Sequence, residues 1–92
     1  MNLKKLIFAD GTIRSYEKVK DRVVVYFEDY RQSEFKILFD GVSELYDNDG
    51  VGYSISDSDI EQHGDDQEII FRDEDMKVML RMRFSTASVE PA

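Results

Sequence analysis

The chain of 92 residues is long enough for one small domain, and its apolar content of 41% excludes a disordered protein. It contains no cysteine, which excludes disulfides and thiolate metal sites and favours a cytoplasmic location. The net charge is −8, and residues 39–75 alone carry −12, from thirteen acidic residues and one basic residue. This segment would repel nucleic acid and anionic membranes and attract a basic protein partner.

The first predicted elements are a hairpin and a buried strand. Asp10-Gly11 lies between the apolar runs 7–9 and 12–13, and this dipeptide is a strong two-residue hairpin signal. Residues 20–21 predict another tight turn. Residues 23–27, Val-Val-Val-Tyr-Phe, are apolar at every position, which is typical of a central strand whose odd-numbered side chains lie on one side.

Alternating patterns predict further strands in the middle of the chain. In residues 34–40 the odd-numbered side chains are apolar, as in a half-buried strand. Gly41 interrupts the stretch 34–46 and predicts a bend or bulge that keeps Val42 facing the core. After a turn at 48–50, a second alternation through 51–56 again places the odd-numbered residues inward.

One helical turn is predicted. Ser56 or Asp57 could cap a short helix over residues 57–62, and Gly64 could end it. Acidic residues in a first helical turn favour the same interpretation.

The last strong signal is an alternation in residues 76–84, apolar at even positions and mostly basic at odd ones. It predicts a strand paired with residues 68–72. If Arg72 lies opposite Lys77, Ile69 lies opposite Leu80, and this register pairs Glu68 with Arg81 on the outer face. Residues 85–92 carry few apolar side chains, which predicts a flexible C-terminal tail.

These patterns together predict a mainly β fold. We expect a single antiparallel meander sheet of about six to seven strands, strongly curved or partly closed into a barrel, with at most one short helical turn near residues 57–62. Residues 1–84 would form the β domain, and residues 85–92 the tail.

No motif for metal binding is complete. Asp47, Asp49 and Gly50 resemble part of an EF-hand calcium loop. With Gly50 at the sixth position of that loop, however, Leu45 stands at the first, where a carboxylate is required. We therefore predict no metal and no cofactor.

A catalytic site is not predicted either. His63, the only histidine, could act as a general base beside Asp65 or Asp66. A nucleophile would also be needed, and no nucleophile elbow surrounds the nearby serines. The sequence therefore predicts no catalytic residue and a protein that is not an enzyme.

Candidate partner-binding residues share two properties: they lie in or beside the acidic segment, or they are large side chains predicted to face solvent. Tyrosines beside turns are typical of interfaces, and apolar residues on the outward face of the last two strands would form an apolar spot. The candidates are Tyr30, Tyr46, Asp47, Asp49, Asp57, Asp59, Glu61, Ile70 and Met79.

The second half of the chain has a recognisable order of features. Phe-Lys-Ile-Leu-Phe-Asp-Gly-Val at 35–42 is followed by Asp49-Gly50, Tyr-Ser-Ile at 53–55, an acidic loop, Ile-Ile-Phe-Arg-Asp-Glu at 69–74 and the final alternating strand. This order resembles small β-rich bacterial proteins of unknown function, some in toxin–immunity loci and others in mobile gene cassettes. The resemblance implies a stand-alone binding protein, of which an immunity protein that occludes a toxin is one form.

Three functions are compatible with these observations. The first is a non-enzymatic module that binds a basic protein through an acidic loop face, and does not bind nucleic acid or membrane. The second is a small-ligand-binding β barrel. The third is an accessory protein that self-associates through a sheet edge, for instance as a homodimer.

Overall fold

The computed structural model describes residues 2–92, which form two four-stranded antiparallel sheets facing each other across one core. The first sheet has the order β1-β2-β3-β8, with bounds Thr12–Val19, Arg22–Glu28, Glu34–Asp40 and Thr86–Pro91. The second has the order β4-β7-β6-β5, with bounds Glu44–Asp47, Val78–Phe84, Asp66–Arg72 and Asp57–His63. A 3₁₀ turn, Leu3–Lys5, precedes β1.

Apolar side chains fill the space between the sheets. The ring centre of Phe39 lies 4.8 Å from the ring centre of Phe84 on the opposite sheet. The ring of Phe8 lies 5.1 Å from Phe27 and 5.0 Å from Phe71, and so bridges the two sheets. The largest fully buried residues are Phe27, Phe39, Phe84, Ile13, Ile37, Ile55, Ile69, Leu80, Met82 and Val23. Alternate residues of the strands supply this core, which confirms the predicted mainly β, antiparallel fold.

The expectation of one curved sheet or a partly closed barrel is wrong. The predicted bend at Gly41 exists, with φ at 66°, but there the chain leaves β3 in the first sheet and enters β4 in the second. Val42 stays buried, and the amide of Ser43 donates to the carbonyl of Arg83. Alternation shows which side chains are buried, but it does not show which strands are neighbours.

The predicted helical turn near residues 57–62 is also wrong, because Asp57–His63 is the edge strand β5. Its only large apolar residue is Ile60, which packs against the core, so the alternation carries a weak signal. The turn to β6 is a two-residue loop at 64–65, where Gly64 has φ at 62°.

The C-terminal segment is ordered rather than a flexible tail. Thr86–Pro91 forms β8, an edge strand that pairs with β3 and places Val89 opposite Ile37. Only Val89 and Ala87 face the core from this strand, so its sequence has few apolar residues. Its order comes from backbone pairing, which composition does not reveal.

Two predicted strands, at residues 7–9 and 51–56, are absent from the structure of residues 2–92. A turn does occur at 8–11, but residues 7–9 form no strand and Gly11 instead bonds through its carbonyl to the amide of Ile55. Residues 51–56 form a loop in which Ile55 is buried while Val51 and Tyr53 are exposed. The predicted turn at 20–21 is confirmed.

The β6–β7 register differs from the prediction by two residues. Ile69 pairs with Met82 rather than Leu80, whereas beyond the bulge Arg72 pairs with Val78, only one residue from the predicted Lys77. A bulge at the start of β7, where Met79 is the extra residue, and a longer loop, 73–77, cause the shift. Because two is even, Ile69, Phe71, Leu80, Met82 and Phe84 still face the core. Met76, predicted inward, is 58% exposed, and Met79, predicted outward, is buried.

Because neighbouring strands are antiparallel, the loops that connect them lie at the two ends of the sandwich. Residues 10–11 and the loops 29–33, 48–56 and 73–77 lie at one end, which we call the cleft end. The turn at 64–65 lies at the opposite end, which we call the hairpin end. In residues 2–92 no helix has the length and apolar character needed to cross a bilayer.

Candidate functional site

A cleft of about 590 Å³ opens at the cleft end, between the loops 48–56 and 73–77. Its charged lining consists of five carboxylates and one ammonium group, from Asp10, Asp49, Asp73, Glu74, Asp75 and Lys77. These groups give the cleft a net charge of −4 when the carboxylates are ionised. The hydroxyl residues Ser54 and Ser56 line it as well.

One wall of the cleft is a loop ordered by its own aspartate. Asp73 Oδ1 accepts hydrogen bonds of 2.9 Å from the amides of Asp75 and Lys77. The Asp73 amide donates to the Lys77 carbonyl, and Met76 closes the loop with φ at 63°. The carboxylates of Glu74 and Asp75 are exposed on this ordered loop.

The loop 29–33 at the same end of the sandwich repeats this arrangement. Asp29 is buried, and its Oδ1 accepts hydrogen bonds of 2.9 Å from the amides of Arg31 and Ser33. Gln32, like Met76, has positive φ, at 66°. Each loop therefore begins with an aspartate that satisfies backbone donors two and four residues later.

The opposite wall of the cleft is held against β7. Asp47 Oδ1 accepts from the Gly50 amide at 2.8 Å, and the Asn48 amide donates to the Met79 carbonyl at 2.8 Å. A Cβ at Gly50 would lie 2.9 Å from Leu80 Cβ, closer than such atoms approach. Only glycine therefore allows this loop to pack so closely on the strand.

An apolar residue and a tyrosine complete the cleft. Met79 lines it and is buried, because the bulge at the start of β7 leaves it between the paired residues Val78 and Leu80. Tyr53 also lines the cleft and is 62% exposed. The cleft therefore offers apolar contact as well as negative charge.

The structure does not gather the predicted partner-binding residues on one loop face. Of the nine candidates, only Asp49 and Met79 line the cleft. Asp47 is engaged in hydrogen bonds with Gly50 and with Tyr16. Tyr30 lies in the loop 29–33, with the guanidinium carbon of Arg31 at 5.2 Å from its ring centre.

The other candidates belong to the outer face of the second sheet. Asp57 and Asp59 both accept hydrogen bonds from Arg72 Nη1, at 3.0 and 2.6 Å. These bonds raise the pKa of Arg72, Asp59 contributing more than Asp57. Ile70 is buried on this face, and Met79 is buried in the cleft, so the expected exposed apolar spot does not exist.

A row of polar contacts crosses this outer face from β4 to β5. The guanidinium carbon of Arg81 lies 5.4 Å from the ring centre of Tyr46, and Arg81 Nε lies 4.0 Å from Glu68 Oε2. His63 Nε2 then lies 3.7 Å from Glu68 Oε1 and 3.4 Å from Glu61 Oε2. The row thus ends in a cluster of one imidazole and two carboxylates.

Sequence reasoning missed several residues of these two sites. Asp10, Tyr53 and residues 73–75 meet at the cleft only because the loop 48–56 crosses the end of the sandwich, which no local pattern shows. A helical turn over residues 57–62, as the sequence predicts, does not bring Glu68 close to His63. A two-residue hairpin turn at 64–65 does, because it places Glu61, two residues before His63, opposite Glu68.

No family model, no curated protein and no solved structure matches this chain. The resemblance to proteins of toxin–immunity loci stays a prediction, since no comparison bears on it.

Proposed function

We propose that this protein is a non-enzymatic binding module that takes a basic segment of a protein partner into the cleft. The lining of the cleft carries the proposal, because five carboxylates face one lysine beside the apolar residue Met79. A lysine or arginine of the partner would place its charged head among the carboxylates, and its aliphatic stem would pack on Met79 and Tyr53.

The charge of the whole chain supports the same kind of partner. A net charge of −8 repels acidic proteins and steers basic ones, so association should be fast at low salt and slower as salt rises. Neutral contacts alone would give little salt dependence. The cleft then sets where the partner binds, and the overall charge sets how quickly it arrives.

The position of His63 supports the non-enzymatic part of the proposal. His63 ends β5 at the hairpin end, whereas Ser56 immediately precedes β5 and lines the cleft. Seven residue steps along the extended chain separate them by roughly 23 Å at about 3.3 Å per residue. Ser58 alternates inward with Ile60, so neither serine can form a nucleophile–base pair with His63.

The competing functions have less support. The ligand-binding barrel needs a closed sheet with an interior cavity, whereas here two open sheets enclose a core of packed side chains. Self-association through a sheet edge would use β1, β8, β4 or β5. The strand β4 is only four residues long, and β8 ends in Pro91, which has no amide to donate. The bulge between Ile13 and Ser15 interrupts β1, and the outward carboxylates of β5 from two copies would repel one another.

The test is affinity capture from lysate of the source cells with three forms of the full chain. The wild type is compared with a cleft variant in which three exposed carboxylates are neutralised, D49N/E74Q/D75N. The control, E17Q/D21N/D65N, neutralises three exposed carboxylates outside the cleft lining. Both variants change the net charge from −8 to −5, so they separate the cleft from charge in general.

We expect one protein to be captured by the wild type and the control and to be reduced at least tenfold by the cleft variant. That protein should bind the purified chain directly, with an association rate that falls as salt rises. If the captured protein binds the cleft variant as well as the control, or if nothing binds specifically at low salt, the proposal is wrong. Sedimentation of the purified chain as a stable dimer would favour self-association instead.

A further inference from the structure

The cluster at the hairpin end has the composition and spacing of a metal site. Glu61 and His63 lie on β5, Glu68 lies on β6, and one ligand atom from each lies within 4.8 Å of the other two. We propose that Glu61, His63 and Glu68 bind a divalent transition-metal ion of the zinc class. This site is at the opposite end of the second sheet from the cleft and is independent of the proposed function.

Two of the three ligand separations are close to those of tetrahedral coordination. An ion held by bonds of about 2.1 Å separates two of its tetrahedral ligands by about 3.4 Å. His63 Nε2 lies 3.4 Å from Glu61 Oε2 and 3.7 Å from Glu68 Oε1. The third pair, Glu61 and Glu68, lies within 4.8 Å, and a rotation of the exposed Glu61 side chain would bring all three ligand atoms to one ion.

The strand register explains why a cation is favoured here. Glu61 stands directly opposite Glu68 in the β5–β6 pairing, and like charges facing each other across strands destabilise a sheet. A divalent ion would neutralise both carboxylates. It would also link the edge strand β5 to its neighbour.

The surrounding groups prepare this geometry before an ion binds. Arg81 Nε lies 4.0 Å from Glu68 Oε2, which leaves Oε1 directed towards His63. The side-chain amide of Gln62 donates to the carbonyls of Gly64 and Asp66, at 2.8 and 3.0 Å, and so fixes the turn that sets the register. Such supporting contacts orient the ligands of metal sites.

The ligand set selects the class of ion. An imidazole nitrogen with two carboxylate oxygens suits zinc and its neighbours among the transition metals, whereas calcium and magnesium prefer oxygen ligands alone. The side chains of His63 and Glu61 are 40% and 52% exposed. A fourth coordination position would therefore face solvent and hold water.

Zinc chloride titrated into the full chain, without a polyhistidine tag, tests the site by calorimetry. We expect one ion per chain, with affinity reduced at least tenfold in H63A, E61Q and E68Q. The matched control is D59N, which removes the same charge from the same face of β5 but lies outside the cluster. Its affinity for zinc should stay within about twofold of the wild type.

The imidazole provides a second readout, because His63 is the only histidine and its ring nitrogen resonances are unambiguous. We expect zinc to shift the Nε2 resonance at the same concentrations that give the calorimetric signal, while equal magnesium leaves it in place. The proposal is overturned if zinc does not bind at one per chain, if H63A binds it as tightly as the wild type, if D59N weakens binding as much as E61Q, or if the resonance does not move at saturation.

Discussion

The hydroxyl of Tyr16 donates a 2.7 Å hydrogen bond to Asp47 Oδ2 and thereby joins the edge strand β1 of one sheet to the edge strand β4 of the other. The second oxygen of Asp47 accepts from the Gly50 amide at the start of the loop that walls the cleft. One carboxylate therefore connects the closure of the sandwich edge with the shape of the candidate site.

Replacing Tyr16 by phenylalanine removes this link while keeping the ring. We expect Tyr16→Phe to lower the free energy of unfolding by about 1 kcal/mol, the net contribution of a partly exposed hydrogen bond to an ionised acceptor. Urea denaturation at pH 7 measures it. The control is Tyr30→Phe, since Tyr30 is exposed and its change should stay within about 0.5 kcal/mol. Equal losses in both variants would contradict the assigned role of Tyr16.

The same hydrogen bond predicts a pH dependence. The bond to Asp47, burial and the nearby negative charge raise the pKa of Tyr16 in the folded chain above its usual value of 10.0. A group whose pKa is raised by folding contributes stability that is complete below its unfolded pKa and lost as pH rises through its folded pKa. We therefore expect the stability difference between wild type and Tyr16→Phe to be constant from pH 7 to about 9 and to shrink above about pH 10. Urea titrations across this range measure it, and a difference that grows with alkaline pH would show the sign to be wrong.

Local alternation predicted the burial of β2, β3, β6 and β7, because each presents several large apolar residues to the core at every second position. Val23, Val25 and Phe27 are all buried, as their pattern indicates. The two edge strands β5 and β8 were missed for the opposite reason. They contribute mainly Ile60 and Val89, and backbone pairing on one side alone holds them.

The candidate sites were harder to predict than the strands, because both depend on which segments become neighbours. Asp49 and Asp75 are far apart in sequence, and they line one cleft only after the chain has crossed between sheets at Gly41 and passed over the end of the sandwich. Charge composition indicated an acidic surface somewhere in residues 39–75. It did not indicate that Asp57 and Asp59 would be occupied by Arg72 while the carboxylates of the cleft face one lysine.

The loop 48–56 offers a direct comparison between the sequence interpretation and the structure. Alternation placed Val51 and Ile55 on the same buried face, whereas the structure buries Ile55 completely and leaves Val51 38% exposed. We expect Ile55→Ala to lower the free energy of unfolding by about 2–5 kcal/mol, because it leaves a cavity in the core. We expect Val51→Ala to lower it by less than about 1 kcal/mol. Chemical denaturation of both variants decides the matter, and similar losses would favour a regular strand at 51–56 over the observed loop.

Gly41 and Gly64 form a matched pair that isolates the crossing between the sheets. Both have positive φ, 66° and 62°, so an alanine at either should lose about 1–2 kcal/mol from backbone strain alone. At Gly64 nothing lies within 4 Å of the added Cβ, whereas at Gly41 it would collide with Ser85 Oγ and lie 2.8 Å from Ser85 Cβ. We therefore expect Gly41→Ala to be the more destabilising of the two in chemical denaturation, because the residues that lead into β4 and β8 must move apart. The double variant Gly41→Ala/Ser85→Gly removes the opposing side chain. Its loss of unfolding free energy, after the loss measured for Ser85→Gly alone is subtracted, should equal the loss in Gly64→Ala. The chain also passes between the sheets at Ser85, from β7 to β8. If Gly41→Ala and Gly64→Ala are equally stable, or if the Ser85 change recovers nothing, then the backbone at Gly41 does not pack against Ser85.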